Sequence, residues 1–393
     1  MIFTFPPMDP DPRDPGLPLT YKFLDNTTLQ TMQHCWRHYW YSSVLGLRRD
    51  GEESVHLTFG TLIHDGADAW CKMVANGVPP EEATQETLAF VLQASWAQGA
   101  ERDVFGGQYV EVFQCTDRTK TNTKKGIVRC LWSKAEHLGA KTQCECGRPV
   151  ESRTAYVANE KYKNRRSLAR AMVALCDQMA ASDVQTIRHA DGRVASELRW
   201  FQPLGVEGTD GQSITMTGSF DSVGADPAGR TIVREYKTTR RQPDEKFWAG
   251  YEMSPQVHTY TWAAQREFGP GTQVHVYAIH IGVGFVEVYV KPVYLAPGGL
   301  SEWQGEMEHY VQEGQIRARL AVEAAQQGRD PASAYPRRLS ACASLPGAPT
   351  TPCPYRDFCR LDPSDRETFL ESNFKQEPWN CLAPKGAQTG DVE

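Results

Sequence analysis

The chain has 393 residues, a formal net charge of −6, and 40% hydrophobic against 23% charged residues. That length allows about two or three domains, and the composition is globular, which excludes fibrous and wholly disordered classes. No apolar run reaches the roughly 18 residues a membrane helix needs, and the opening MIFTFPPMDPDPRDPGLPLT lacks the basic and apolar regions of a signal peptide, so a cytoplasmic protein with no membrane partner is expected.

Residues 1–20, rich in Pro and Asp, read as an irregular arm. Residues 22–48 are aromatic and carry Cys35, with Asp25 or Asn26 placed to cap a helix. Over 57–76, Leu62, Ile63, Ala67, Trp70 and Val74 recur at helical spacing, and Gly60 marks the expected entry, which puts His64 one turn inside. A further amphipathic helix is expected over 81–99. From 114 to 150 apolar periodicity weakens and Lys and Arg dominate, so this stretch reads as an insertion or small subdomain. A basic-to-apolar helix is expected over 159–181. Strands are expected over 194–201, 213–223 and 231–238, with ADPAGR as a turn between the last two. A helix over 252–267, strands over 273–281 and 284–291, and a polar helix over 301–327 follow. The tail from 331 is loop-rich.

The sharpest feature is GSFDSVGADPAGRTIVREYKTTR. Glu235 and Lys237 are two apart on a strand, so both side chains leave one face and Tyr236 leaves the other. If ADPAGR closes a hairpin, Asp221 lands within about a residue of Glu235. Two carboxylates and an ammonium would then share one small volume. Such a group suits metal-assisted phosphodiester cleavage: hard oxygen ligands hold Mg²⁺ or Mn²⁺, and the lysine orients water or stabilises developing charge. The plain alternative is a solvated strand whose charges pair across the hairpin. His64, Glu197 on the first strand, and the pair Gln256 and Tyr260 on one helix face are each unremarkable alone.

Taken in order, FGTLIH with His64, then Glu197, GSFDSV with Asp221, EYK with Glu235 and Lys237, and QVHTY with Gln256 and Tyr260 resemble the PD-(D/E)XK nuclease superfamily. More narrowly they resemble its RecB/AddB-type branch, which includes CRISPR-associated adaptation exonucleases and phage relatives. The resemblance implies a mixed α/β (α+β) restriction-endonuclease-like core of order αβββαβ, here with a basic, Cys-containing insertion and extra helices. It implies metal ligands at His64, Asp221 and Glu235, a catalytic lysine at Lys237, and Gln256 and Tyr260 beside the active site. Glu197 matches the family's auxiliary acidic position only loosely. The activity implied is a metal-dependent deoxyribonuclease, an exonuclease acting on single-stranded DNA or DNA ends in processing, recombination or repair, with a helicase or recombination complex as partner. The rival reading is a non-catalytic DNA-binding or recombination subunit that keeps the fold.

The same resemblance implies a [4Fe–4S] cluster on one N-terminal and three C-terminal cysteines, carried over to Cys35, Cys342, Cys353 and Cys359. The tail CASLPGAPTTPCPYRDFCR lacks the usual close CxxC at its first cysteine, which leaves Cys381 as a substitute for Cys342. Zinc in the same thiolates, or independent free thiols, are the alternatives. In the insertion, Cys115, Cys130, Cys144 and Cys146 form a second candidate site, for Zn²⁺, with His137 as a competing ligand and a flexible basic loop as the alternative. Arg118 to Lys141 holds seven basic residues and one acidic, and KYKNRRSLAR adds five more, so both stretches are candidate phosphate contacts. Trp36, Trp40 and Tyr41 could stack on single-stranded bases or pack in the core.

The expected organisation is therefore an N-terminal arm and helix with the first cluster cysteine (1–56), a helical part of the nuclease core (57–113), the insertion (114–150), the main nuclease core (151–300), and a C-terminal helix with the cysteine tail (301–393).

Overall fold

The computed structural model describes residues 10–11, 14–18, 23–49, 55–97, 105–115, 133–134, 150–158, 162–208, 211, 213–343, 353–362 and 365–376. A ribbon of β1 (Pro10–Asp11) and β2 (Asp14–Pro18) precedes β3 (Phe23–Asp25). Asp25 caps α1 (Asn26–His34), accepting the Thr28 N–H at 2.7 Å and satisfying one of the open donors at a helix start. Cys35, in extended conformation, separates α1 from α2 (Trp36–Tyr39), and a π-turn leads to β4 (Leu47–Arg49).

Helix α3 (Val55–Ala75) starts before the expected entry, so Gly60 is interior and His64 lies more than two turns in. Phe59, Leu62, Ile63, Ala67 and Trp70 are buried at helical spacing against α4 (Pro80–Ala97) and α5 (Arg165–Ala180). Each large apolar side chain buried this way contributes about 1.5–3 kcal/mol. Gly66 permits the close approach of the three helices: a Cβ there would sit 2.4 Å from Met172 Sδ and 2.7 Å from Val91 Cγ1.

The segment between α4 and α5 carries strands that the sequence reading of an insertion or small subdomain over 114–150 did not assign. β5 (Gly107–Cys115) pairs antiparallel with β7 (Val150–Ala158) along its whole length, and β6 (Ser133–Lys134) joins β5 on its other edge. Tyr109 to Phe113 carries the β-branched and aromatic content of a strand, but its partner is about forty residues away, and local pattern does not register so distant a pairing. Cys130, Cys144, Cys146 and His137 lie outside the described residues, as does the side chain of Cys115.

The main sheet has seven strands. β10 (Ser213–Ala225) pairs antiparallel with β8 (Gln185–Thr186), β9 (Ser196–Glu207) and β11 (Thr231–Thr239), and parallel with β3. β12 (Gln273–Ile281) runs parallel to β11, and β13 (Val286–Val293) runs antiparallel to β12. The order helix, three antiparallel strands, helix, strand is the mixed α/β core expected. Gly218 on β10 leaves room for the Trp200 ring, which would lie 2.6 Å from an added Cβ.

Between β11 and β12 the expected single helix is two, α6 (Glu245–Glu252) and α7 (Pro255–Phe268). Pro255 cannot supply the N–H that would continue α6, and it is pre-set for the first turn of a new helix. After β13, α8 (Pro297–Gln326) leads into a tail with α9 (Arg356–Arg360), α10 (Arg366–Asn373) and β14 (Phe374–Gln376).

Alternation along the strands feeds two cores. Val233, Val274 and Val276 join the core beneath α1, α7 and the tail, whereas Tyr236, Tyr277, Ile279 and Ile281 join the one beneath α3, α4 and α5. The tail docks on the N-terminal helices: Trp40 stacks on Tyr335 at 4.7 Å, Tyr41 meets Phe358 edge-on at 4.7 Å, and β14 pairs with β4. Trp40 and Tyr41 are thus core residues, 4% and 2% exposed, and not a base-stacking surface. Trp36 is half-buried against Tyr310, with Arg317 over its ring. Among the described helices none is long and apolar enough to cross a membrane.

Candidate active site

The hairpin of β10 and β11 builds the centre of the site. Its last main-chain pair is Ser222 opposite Arg234, so the next step of the register sets Asp221 opposite Glu235. Residues facing each other in an antiparallel pair project to the same side. Both are almost wholly buried, at 2% and 1% exposure. Lys237, two residues on along the same face, donates to Glu235 Oε1. Gln256, in the first turn of α7, donates to the same oxygen at 3.0 Å and contacts the Tyr260 hydroxyl at 3.3 Å. Glu235 Oε2 is buried with no hydrogen-bond partner among the described residues, an arrangement that costs free energy unless a ligand supplies the missing contact.

Two buried carboxylates this close resist ionising together. Burial first, and the Asp221 charge second, push Glu235 up to about 7, against the pull of Lys237 and His64. Burial opposes the Lys237 ammonium, but Glu235 and then Asp221 outweigh it and hold its proton above the ordinary lysine range. Burial, then Glu235 and Asp221, raise the Tyr260 phenol well above its usual value, so it acts as a neutral hydrogen-bonding group.

His64 reaches the same carboxylate from α3. Its Nδ1 lies 3.0 Å from Asp221 Oδ1 and 3.8 Å from Glu197 Oε1. Glu197 follows from the β9–β10 register: Leu198 pairs with Phe220, so the next step faces Glu197 toward Asp221. It is the one non-glycine among the described residues with positive φ, at 46°. That conformation is strained for an L-residue and persists only where surrounding structure enforces it. The sequence alone gives Glu197 as a plain strand carboxylate, and the family resemblance matches it only loosely to an auxiliary acidic position. The register could have placed Glu197, but nothing local betrays the strain.

Among the described residues, His64, Glu197 and Asp221 are the one group of three that brings potential ligand atoms within 4.8 Å of one another. Glu235 stands beside this trio, tied to it by charge and joined to Lys237 and Gln256 by hydrogen bonds. One imidazole and three carboxylates, one of which keeps the orphaned oxygen Glu235 Oε2, form a donor set that fits a hard divalent cation.

The basic stretch before α5 divides. Arg165 is spent on the Ser95 hydroxyl and carbonyl and on the Trp96 ring. Lys163, 6% exposed, donates to Thr238 Oγ1 at 3.1 Å, one residue past Lys237. Arg240 lies over the Tyr162 ring at 5.4 Å. Positive charge therefore gathers at the C-terminal end of β11.

A family model for the PD-(D/E)XK nuclease superfamily matches residues 26–360. The chain belongs to that superfamily. No curated protein matches. Among solved structures, one named SSO0001 has a TM-score of 0.21 and 16% identity over 28% of this chain, and the chain spans about half of that protein's length, 48%. Another, named a putative exonuclease from Eubacterium rectale, has a TM-score of 0.35 and 8% identity over 75% of this chain and 82% of its own. Neither likeness is close enough to carry an argument, and the family match stands by itself.

In this member of the nuclease superfamily, the terminal cysteines meet where the tail docks on α1 and α2. Cys35, Cys353 and Cys359 are buried and Cys342 is half-buried. Burial pushes Cys359 up to about 12, with Arg37 opposing and the thiols of Cys353, Cys342 and Cys35 adding to the rise. Cys353 rises to about 11, again mainly through burial, with a backbone hydrogen bond opposing and Cys342 and Cys35 adding to the rise. Cys342 is raised by burial and by Cys35. The four thiols therefore sense one another's charge, yet no three of their sulfurs fall within 4.8 Å. Cys381 lies outside the described residues.

Proposed function

We propose that this chain is a divalent-metal-dependent deoxyribonuclease of the RecB/AddB-type branch, working as an exonuclease on single-stranded DNA or DNA ends. The observation that carries the reading is the register of Asp221 opposite Glu235, with Lys237 on the same face. His64, Glu197, Asp221 and Glu235 would hold Mg²⁺ or Mn²⁺, and the imidazole favours Mn²⁺ among such hard ions. A bound cation would supply Lewis acidity toward the phosphate.

The protein's own groups supply the rest. The Lys237 side chain is 29% exposed, and Glu235 fixes its ammonium in place. There it orients the attacking water and stabilises negative charge as the new P–O bond forms and the bond to the leaving oxygen breaks. Gln256 locks Glu235 through Oε1, leaving Oε2 to face a ligand. The Tyr236 amide locks Asp221 through Oδ2. A phosphomonoester and an alcohol result, and the cations at the end of β11 neutralise the strand's phosphates.

The terminal cysteines extend the proposal. Cys35, Cys342, Cys353 and Cys359, brought together where the tail docks, would hold a [4Fe–4S] cluster that ties the tail to the N-terminal helices.

The test uses full-length protein with end-labelled single- and double-stranded oligodeoxynucleotides, with and without Mn²⁺. The expected result is Mn²⁺-dependent shortening from an end, lost in Lys237→Ala. Absence of cleavage of any DNA by the metal-loaded wild type overturns the proposal.

A further inference from the structure

Helix α6 joins the two halves of the site. The chain leaves β11 two residues past Lys237 and returns at Gln256, and α6 fills the span between. It carries Phe247, Trp248 and Tyr251, yet none of its residues is buried. Phe247, Trp248 and Tyr251 are each half-buried, so each ring keeps part of its surface in water. Trp248 and Tyr251 rest against the core. Trp248 is further committed: Lys291, held by Glu252 at 2.8 Å, lies 5.8 Å over its ring. Phe247 stands across both neighbours, 5.0 Å from each ring, at 85° to Trp248 and 54° to Tyr251. Met253, 80% exposed, continues the apolar edge toward α7.

We propose that Phe247 and Tyr251 form a stacking subsite for the unpaired nucleobase next to the phosphate engaged by Lys237. The inference rests on the nuclease reading and names the substrate it selects. The Tyr251 phenol lies within electrostatic reach of both Lys237 and Glu235. Because α6 spans from the end of Lys237's strand to Gln256's helix, a nucleotide whose phosphate meets Lys237 has this helix beside it for its base. A base at the end of a duplex is already stacked and paired, whereas a single-stranded base has a free face for an aromatic ring. Arg240, exposed beside the Tyr162 ring where β11 ends, offers the strand's backbone a cation that an apolar peptide would not need, while Arg241 next to it is paired with Asp244 at 2.9 Å. Stacking of this kind tolerates any base, as an exonuclease without sequence preference requires.

The test compares a single-stranded oligonucleotide with one carrying a tetrahydrofuran abasic residue beside the scissile bond. For wild type, the abasic residue is expected to lower kcat/KM roughly 5- to 100-fold. Phe247→Ala and Tyr251→Ala are expected to lose a similar factor on the intact strand and to become indifferent to the abasic residue. Tyr251→Phe, which keeps the ring and removes the phenol near Lys237, is expected to discriminate as wild type does. A second readout needs no catalysis: the cleavage-defective Lys237→Ala protein should quench 2-aminopurine at the strand end, and adding Phe247→Ala should abolish the quench. Equal cleavage of both oligonucleotides by wild type, or a quench that survives Phe247→Ala, overturns the subsite while leaving the nuclease reading intact. A wild type that cleaves neither strand removes the nuclease reading, and the subsite with it. Binding of an apolar peptide without any quench by DNA assigns the patch to a protein partner and overturns the proposal.

Discussion

Tyr236 donates its backbone N–H to Asp221 Oδ2 at 2.8 Å, at the step where β10 and β11 cease to pair main chain to main chain. The carboxylate takes the place of a ladder carbonyl. This is why a fully buried amide and a nearly fully buried acid can share one position without either being left unsatisfied.

That bond separates two substitutions at one residue. Asp221→Asn keeps an oxygen for the Tyr236 amide but removes the charge, so folding should survive and Mn²⁺-dependent cleavage should fall by about 100-fold or more. Asp221→Ala orphans the amide as well and should cost a further 1–3 kcal/mol, roughly, of stability. Thermal melts beside cleavage assays check both. Equal melting of the two variants would show that the amide bond contributes nothing.

Glu235 sets a pH dependence. Its folded pKa, about 7, lies above the usual carboxylate value, so the protonated form is the one folding favours. The stabilisation is fully present below about pH 4.3 and is lost as pH rises through 7. In metal-free protein stability should therefore fall between about pH 4.3 and 7, by on the order of 3 kcal/mol at most, and the melting temperature should fall with it. Mn²⁺ should restore it by binding the ionised form. Glu235→Gln should flatten the slope, and a slope that persists in that variant would assign it to another group.

Gly66 sets the seat of His64. An alanine there would press on Met172 Sδ and Val91 Cγ1, and overpacking of this kind costs about 1–3 kcal/mol. Gly66→Ala should lower the melting temperature and, by shifting α3, weaken Mn²⁺ affinity measured by calorimetry. Gly60→Ala on the same helix meets nothing within 4 Å and should gain up to about 1 kcal/mol from helix propensity.

The terminal cysteines carry their own signature. Protein purified without oxygen should hold about four iron atoms per chain and absorb visible light. Cys353→Ser or Cys359→Ser should bleach that absorbance and loosen the contact of Tyr41 with Phe358, exposing the tail to limited proteolysis. Zinc in place of iron in metal analysis would overturn the cluster assignment.

Much of this molecule could be read in one dimension. The αβββαβ order and the facing of Asp221 with Glu235 follow from period-two patterning and one tight turn, because both are local properties of the backbone. The helix over 57–76 was legible for the same reason, but its start was not: nothing in a lone Gly60 says whether it opens a helix or lies within one. What only the tertiary structure decided depends on segments far apart in the chain. β5 pairs with β7 across the basic stretch, Lys163 folds against Thr238, and the tail buries Trp40 and Tyr41. Glu197 joins His64 and Asp221 through a strained φ that no residue type demands. Periodicity records which face of an element is buried, not which distant element buries it, and a strained backbone exists only because its surroundings hold it there.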